Sequence, residues 1–183
     1  AKTTSGANIS VIDGKNMSVG LGLCIEEVAR IIKEKELNHE NIVTEIDKII
    51  TKTKVFTAVK DLSYAVKGGR VPKIVKTISD IFNFKPILTI GQEGNMDRAG
   101  IYFGKNNMPK KLFNMVNKKI DSSSKYNVLI GHAKSKDDGE KIKLLFEQKS
   151  DIFKNIKLRE IGCALGVHTG PGAISVAIQK IDD

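Results

Sequence analysis

Apolar positions along the 183-residue chain switch repeatedly between helical and strand spacing. Ile9-Ser10-Val11-Ile12-Asp13 is a short β-branched run ending at Asp13-Gly14, which predicts a strand and a turn. Met17, Leu21, Cys24, Ile25, Val28, Ile31 and Ile32 then recur at three- and four-residue steps, predicting an amphipathic helix over 18–36. Gly20 and Gly22 lower helix propensity near its start and point to close packing there. Asn38 is placed to cap a second helix whose inward side is Ile42, Val43, Ile46, Ile49 and Ile50. A strand over 54–59 and a short helix over 61–66 follow, the latter stopped by Gly68-Gly69.

Pro72 suits the first turn of another helix, with Ile74, Val75, Ile78, Ile81 and Phe82 on one side. Residues 86–90 and 99–103 read as strands joined through Gly91–Gly94, and Leu112, Phe113, Val116 and Ile120 mark a helix. A strand over 126–130, a helix over 136–149 with Ile142, Leu145 and Phe146 inward, and closing strands over 156–161 and 173–178 complete the pattern. Helices alternating with strands make the expected class α/β, a central mixed β-sheet packed by helices.

Composition narrows the options. An apolar share of 40% rules out disorder, and no apolar run approaches the roughly 20 residues of a membrane span. Cys24 and Cys163 make no disulfide framework, which fits a reducing cytoplasm. The chain starts at Ala1 without a signal-peptide pattern, so it is expected to begin partway through a longer protein. The net charge of +9 invites a nucleic-acid reading, but it is built from 26 scattered lysines and only four arginines, with no Trp. Bidentate phosphate readout favours Arg, and single-strand binding needs aromatics among the basic residues. DNA binding is therefore set aside, while an anionic ligand stays open.

Packing accounts for most of the sequence but not for two segments. In Lys67-Gly68-Gly69-Arg70-Val71-Pro72, adjacent glycines can turn amides into one concavity beside a guanidinium and a helix start, an arrangement suited to an anion. Equally, Gly68 can end one helix, Pro72 start the next, and Arg70 face solvent. In Gly166-Val167-His168-Thr169-Gly170-Pro171-Gly172, three glycines and a proline frame one imidazole and one hydroxyl, as in a stiff loop aimed at a carboxylate or phosphate. A Gly-Pro turn whose His donates to a nearby carbonyl is the plainer alternative. His39 and His132 read as surface or structural, and Cys163, among Ile161, Ala164 and Leu165, as a buried structural thiol. No phosphate-loop, dinucleotide or His-Glu-x-x-His motif is present, and the scattered His and Cys do not form a zinc set, so neither cofactor nor metal is expected.

Four stretches in this order resemble the DegV family of bacterial fatty-acid-binding proteins. They are Val11-Ile12-Asp13 with Ser18-Val19-Gly20-Leu21-Gly22; Leu62-Ser63-Tyr64 with Lys67-Gly68-Gly69-Arg70; Phe84-Lys85-Pro86-Ile87-Leu88; and Gly166–Gly172. The resemblance implies a two-lobed α/β protein enclosing a long-chain fatty acid, with residues 1–183 as its C-terminal region and 1–14 as the end of an N-terminal lobe otherwise missing here. It implies a lipid-binding, lipid-transport role in the cytoplasm rather than catalysis. It also implies that His168, with Thr169, holds the carboxylate. Arg70, beside Gly68 and Gly69, would lie at the head group and serve phosphoryl transfer by a partner fatty acid kinase, with Gly170 and Gly172 shaping the second loop. Ser and Thr groups of the family's N-terminal lobe complete the carboxylate site; Thr3, Thr4 and Ser5 lie too close to the Asp13 turn to be those groups. The bound ligand would be a fatty acid, the partners that acid and the kinase, with transient contact at a membrane surface. The rival readings are an enzyme handling a small carboxylate or phosphate through His168 and Arg70, and a basic interaction module.

Overall fold

In the computed structural model, residues 6, 8–71, 84–91, 93–104 and 107–181 are described. Among the described residues six strands, β1 (Thr53–Ala58), β2 (Phe84–Ile90), β3 (Met96–Phe103), β4 (Tyr126–His132), β5 (Phe153–Glu160) and β6 (Ile174–Lys180), form one sheet. Their order is β3-β2-β1-β6-β4-β5, and all neighbours run antiparallel except β4 and β5, so the sheet is mixed as expected. The last strand does not close an edge. β6 lies between β1 and β4, and its run of alternating Ile174, Val176 and Ile178 against Ser175 and Ala177 is buried on both sides. The edges are β3 and β5, whose polar-rich alternation suits half-exposed strands.

Helices cover both faces. On one face α1 (Ser18–Glu34) presses Val19 and Leu23 onto Val55, Leu129 and Ala177, and α2 (His39–Lys52) packs beside it through Cys24, Ile31, Ile49 and Ile50. Gly20 allows this approach, since a Cβ there would stand 2.9 Å from that of Val55. The buried side of α1 keeps Cys24 and Ile31 of the expected stripe and adds Val19 and Leu23, while Leu21, Ile25 and Ile32 are exposed. Asn38 caps α2 as expected, its Oδ1 accepting the Asn41 amide at 2.9 Å.

On the other face α4 (Met108–Asn117) and α5 (Lys136–Glu147) bury Leu112, Val116, Ile142 and Phe146 against Phe56, Val128, Ile130, Val176 and Ile178. Phe146 meets Phe113 and Phe153 edge to face, with centroids 4.9 and 4.7 Å away. Two short helices, α3 (Ser63–Lys67) and α6 (Cys163–Thr169), pack together at the end of the sheet where β1 and β4 stop and β6 begins.

Three expectations change. Ile9–Asp13 joins no strand; Asp13 instead accepts the Lys15 amide in a local turn, and Val11 is exposed. The first part of Gly166–Gly172, expected as a stiff loop, is helical: 166–169 close the helix Cys163–Thr169, with His168 in its last turn, and only 170–172 form a turn. Cys163 is exposed rather than buried, since α6 turns its first residues outward and keeps Thr169 and Gly170 inside. The helix expected from Pro72 through Phe82 lies outside the described residues. No helix among the described residues is long and apolar enough to cross a membrane.

Candidate functional site

The two glycine-framed segments, about a hundred residues apart in sequence, touch. α3 ends in a turn in which Gly69 donates to Val66 O at 3.0 Å and Arg70 to Ala65 O at 2.8 Å, with Gly69 at φ 68°. This pair of bonds is a Schellman helix stop, and its left-handed residue is Gly69. Gly68 serves a different purpose. A Cβ at Gly68 would overlap Nδ1 of His168 and stand 2.9 Å from its Cε1, so the imidazole lies directly on the bare Cα. One turn earlier on α3, the Tyr64 ring lies on Gly170, where a Cβ would come within 2.8 Å of Cγ. Positions 64 and 68 share a helix face, so the α3 surface is read by His168 and Gly170 together.

The amides of Gly68, Gly69 and Arg70 all donate within the turn, Gly68 to Tyr64 O at 2.9 Å. The expected concavity of free amides is therefore not formed. What α3 offers an anion is the exposed Arg70 side chain, two residues from the Gly68–His168 contact.

α6 stops because Gly170, at φ 71° and ψ 168°, takes a conformation essentially closed to residues with a Cβ. Gly172 has φ 85° and donates to Ala133 O at 2.6 Å, which pins the turn to the end of β4. Thr169 is buried and its hydroxyl donates to Leu165 O at 3.3 Å. Its oxygen keeps acceptor capacity, but the donor a carboxylate would use is engaged within the helix.

His168 is half-buried, and its Nδ1 is buried without a hydrogen-bond partner. An enclosed N–H without an acceptor costs more than an enclosed lone pair. The neutral ring therefore carries its proton on Nε2, the nitrogen left to meet a ligand as a donor. His132, ending β4, is also buried, with its ring beside Gly139 of α5, whereas His39 starts α2 and its Nε2 lies 2.8 Å from Ser10 Oγ. Nδ1 of His132, like that of His168, is buried without a hydrogen-bond partner.

Two clefts, of about 430 and 890 Å³, open at the other end of the strands. The smaller lies among Arg30, Lys48, Asn127 and Lys180, the larger among Lys54, Phe56, Thr89 and Arg98; neither is lined by His168, Thr169 or Arg70. Tyr64, which stands in the Leu62-Ser63-Tyr64 stretch of the resemblance but not among the expected site residues, joins the site one turn before Gly68.

A model of the DegV family, described as an uncharacterised protein family, matches residues 1–180. The chain belongs to the DegV family. A DegV domain-containing protein of Clostridium acetobutylicum is 31% identical over 170 residues, covering 93% of this chain and 60% of the relative. A fatty acid binding DegV family protein of Streptococcus agalactiae superposes with a TM-score of 0.82 at 24% identity, covering 99% of this chain and 63% of that one. A stearic-acid-binding protein of Eubacterium ventriosum gives a TM-score of 0.80 at 25% identity, covering 98% and 61%. This DegV chain thus spans about 60% of the length of the relatives it matches.

Proposed function

We propose that this DegV chain is part of a carrier that holds a long-chain fatty acid with its carboxylate at His168. The observation that carries the reading is the seating of His168 on Gly68 with Nδ1 buried and unpartnered, which leaves Nε2 as the nitrogen to donate. A carboxylate accepts such a hydrogen bond strongly, and the exposed Arg70, two residues beyond Gly68, adds a positive charge at the end of α3. Fatty acids bound to family relatives support the same ligand class. Burial of an acyl chain supplies the affinity, at ~0.8 kcal/mol per methylene, and the polar end sets orientation.

The proposal extends to presentation. An acid whose head group is held near the surface, beside a guanidinium, is placed for a cytoplasmic fatty acid kinase to phosphorylate, and Arg70 would then serve the phosphoryl group rather than the resting carboxylate.

In the full-length protein, His168→Ala is expected to weaken stearate binding by tenfold or more, the loss of one hydrogen bond to a charged group at ~1.5–3 kcal/mol. Arg70→Ala should leave that affinity nearly unchanged and lower kinase-dependent formation of acyl phosphate. Calorimetry and a coupled phosphorylation assay read the two. Unchanged affinity in His168→Ala contradicts the assignment, and turnover of a small carboxylate or phosphate without any kinase would favour an enzyme instead.

A further inference from the structure

The His168 seat depends on how α3 and the turn after α6 are held against each other, and Lys60 links them: its backbone leads into α3 while its side chain crosses the turn. Lys60 follows β1, immediately before Asp61, whose carboxylate accepts the Ser63 amide at 2.8 Å and the Ser63 hydroxyl at 2.6 Å at the entry to α3. On its other side, the buried Val59 carbonyl accepts the Tyr102 hydroxyl at 2.9 Å. The backbone around Lys60 is therefore anchored from both directions.

The aliphatic stem of Lys60 lies across Gly172: a Cβ there would come within 2.5 Å of Lys60 Cδ and 3.1 Å of Cε. Its Nζ donates to Asp138 Oδ2 at 2.9 Å in the first turn of α5, and Ser135 Oγ holds the same oxygen at 3.0 Å. The start of a helix favours acidic residues and not cations, so α5 gains from Asp137 and Asp138 and has no need of Lys60. The ammonium is instead drawn across the Gly170–Gly172 turn, and the stem is clamped onto it.

We propose that Lys60 is a positioning residue of the His168 site, a strap that fixes the turn after α6 to the entry of α3 and thereby sets the imidazole on Gly68. This rests on the carrier reading above for its functional consequence, but not for its structural one. Lys60 does not touch His168; it acts through Gly172 on one side and through α3, which carries Tyr64 and Gly68, on the other.

The test uses the full-length protein with Lys60→Ala, Lys60→Met and Lys60→Arg, and Lys141→Met as a control. Lys141 Nζ reaches the other oxygen of Asp138 at 3.6 Å without crossing the turn. Two readouts are taken: the ring ¹H–¹⁵N signals of His168 without ligand, and the dissociation constant for stearate. Lys60→Ala is expected to shift the His168 signals and weaken stearate binding about fivefold, the scale of one well-placed ion pair with its packing. Lys60→Arg should restore both, and Lys141→Met should move neither. Lys60→Met keeps the stem, so it remains folded if the alanine variant does not, and it separates the loss of charge from the loss of packing. Unmoved His168 signals in Lys60→Ala and Lys60→Met overturn the proposal, as does an equal shift in Lys141→Met. A protein that never binds stearate, yet shifts its His168 signals in Lys60→Ala, sinks the carrier reading and leaves the strap standing.

Discussion

Gly68 and Gly69 stand side by side for different physical reasons, and the difference can be measured. Gly69 needs its left-handed backbone and has open space around its Cα, whereas Gly68 has an ordinary φ of −78° but meets the His168 ring. Gly69→Ala is therefore expected to lower stability by ~1–2 kcal/mol, the cost of a left-handed L-residue, while leaving ligand affinity intact. Gly68→Ala should displace the imidazole and weaken stearate binding severalfold, with an overpacking cost of ~1–3 kcal/mol. Denaturant melts and calorimetry on the two variants separate these outcomes; equal effects on affinity would deny Gly68 its role. Sequence reasoning singled out both glycines together with His168 and Arg70. It could not divide their roles, because one answers to local backbone geometry and the other to a ring a hundred positions away.

Elements were legible where one physical signal dominated. The Asn38 cap and the Ile-rich side of α2 are both local, and both lie where the sequence put them. Asn38→Ala should accordingly cost ~1 kcal/mol in a thermal or denaturant melt without changing affinity, since α2 packs against α1 away from His168. The seven-residue α6 was hidden because Gly162, Gly166 and Gly170 lie in or beside it, and tertiary packing on α3 outweighs their poor propensity. Its glycine-rich character also misplaced Cys163, whose apolar neighbours suggested burial although the helix turns it outward. In α1 the expected stripe holds at Cys24 and Ile31, but Gly20 lets the helix settle close to β1, and Val19 and Leu23 face the sheet while Leu21 and Ile25 stay exposed. Run 9–13 had strand composition, but it pairs with no strand and ends in a local turn closed by Asp13 on the Lys15 amide.

At the scale of the molecule, the sheet order brings the ends of β1 and β4 beside the start of β6, where α3 and α6 pack together around His168 and Lys60 reaches the first turn of α5. Composition and periodicity gave the α/β class, but not the insertion of β6 between β1 and β4, which depends on long-range pairing. The Lys60–Asp138 pair across this junction makes stability depend on pH. Burial raises the Asp138 pKa, but hydrogen bonds from Lys60 and Ser135 and the charges of Lys60 and Lys141 outweigh it, so its net shift is downward. A depressed native pKa contributes stability above the ordinary carboxylate value, near ~4, and that contribution is lost as pH falls through the native value. With both partners partly exposed, Asp138→Asn is expected to lose at most ~1 kcal/mol at pH 7 and to converge with the parent protein in acid. The most direct test of the central claim is native mass spectrometry of the full-length protein, followed by denaturing extraction and lipid analysis. One stoichiometric long-chain fatty acid, absent from His168→Ala, is the predicted result. A protein that carries no fatty acid, and takes up none when stearate is added, would contradict the account.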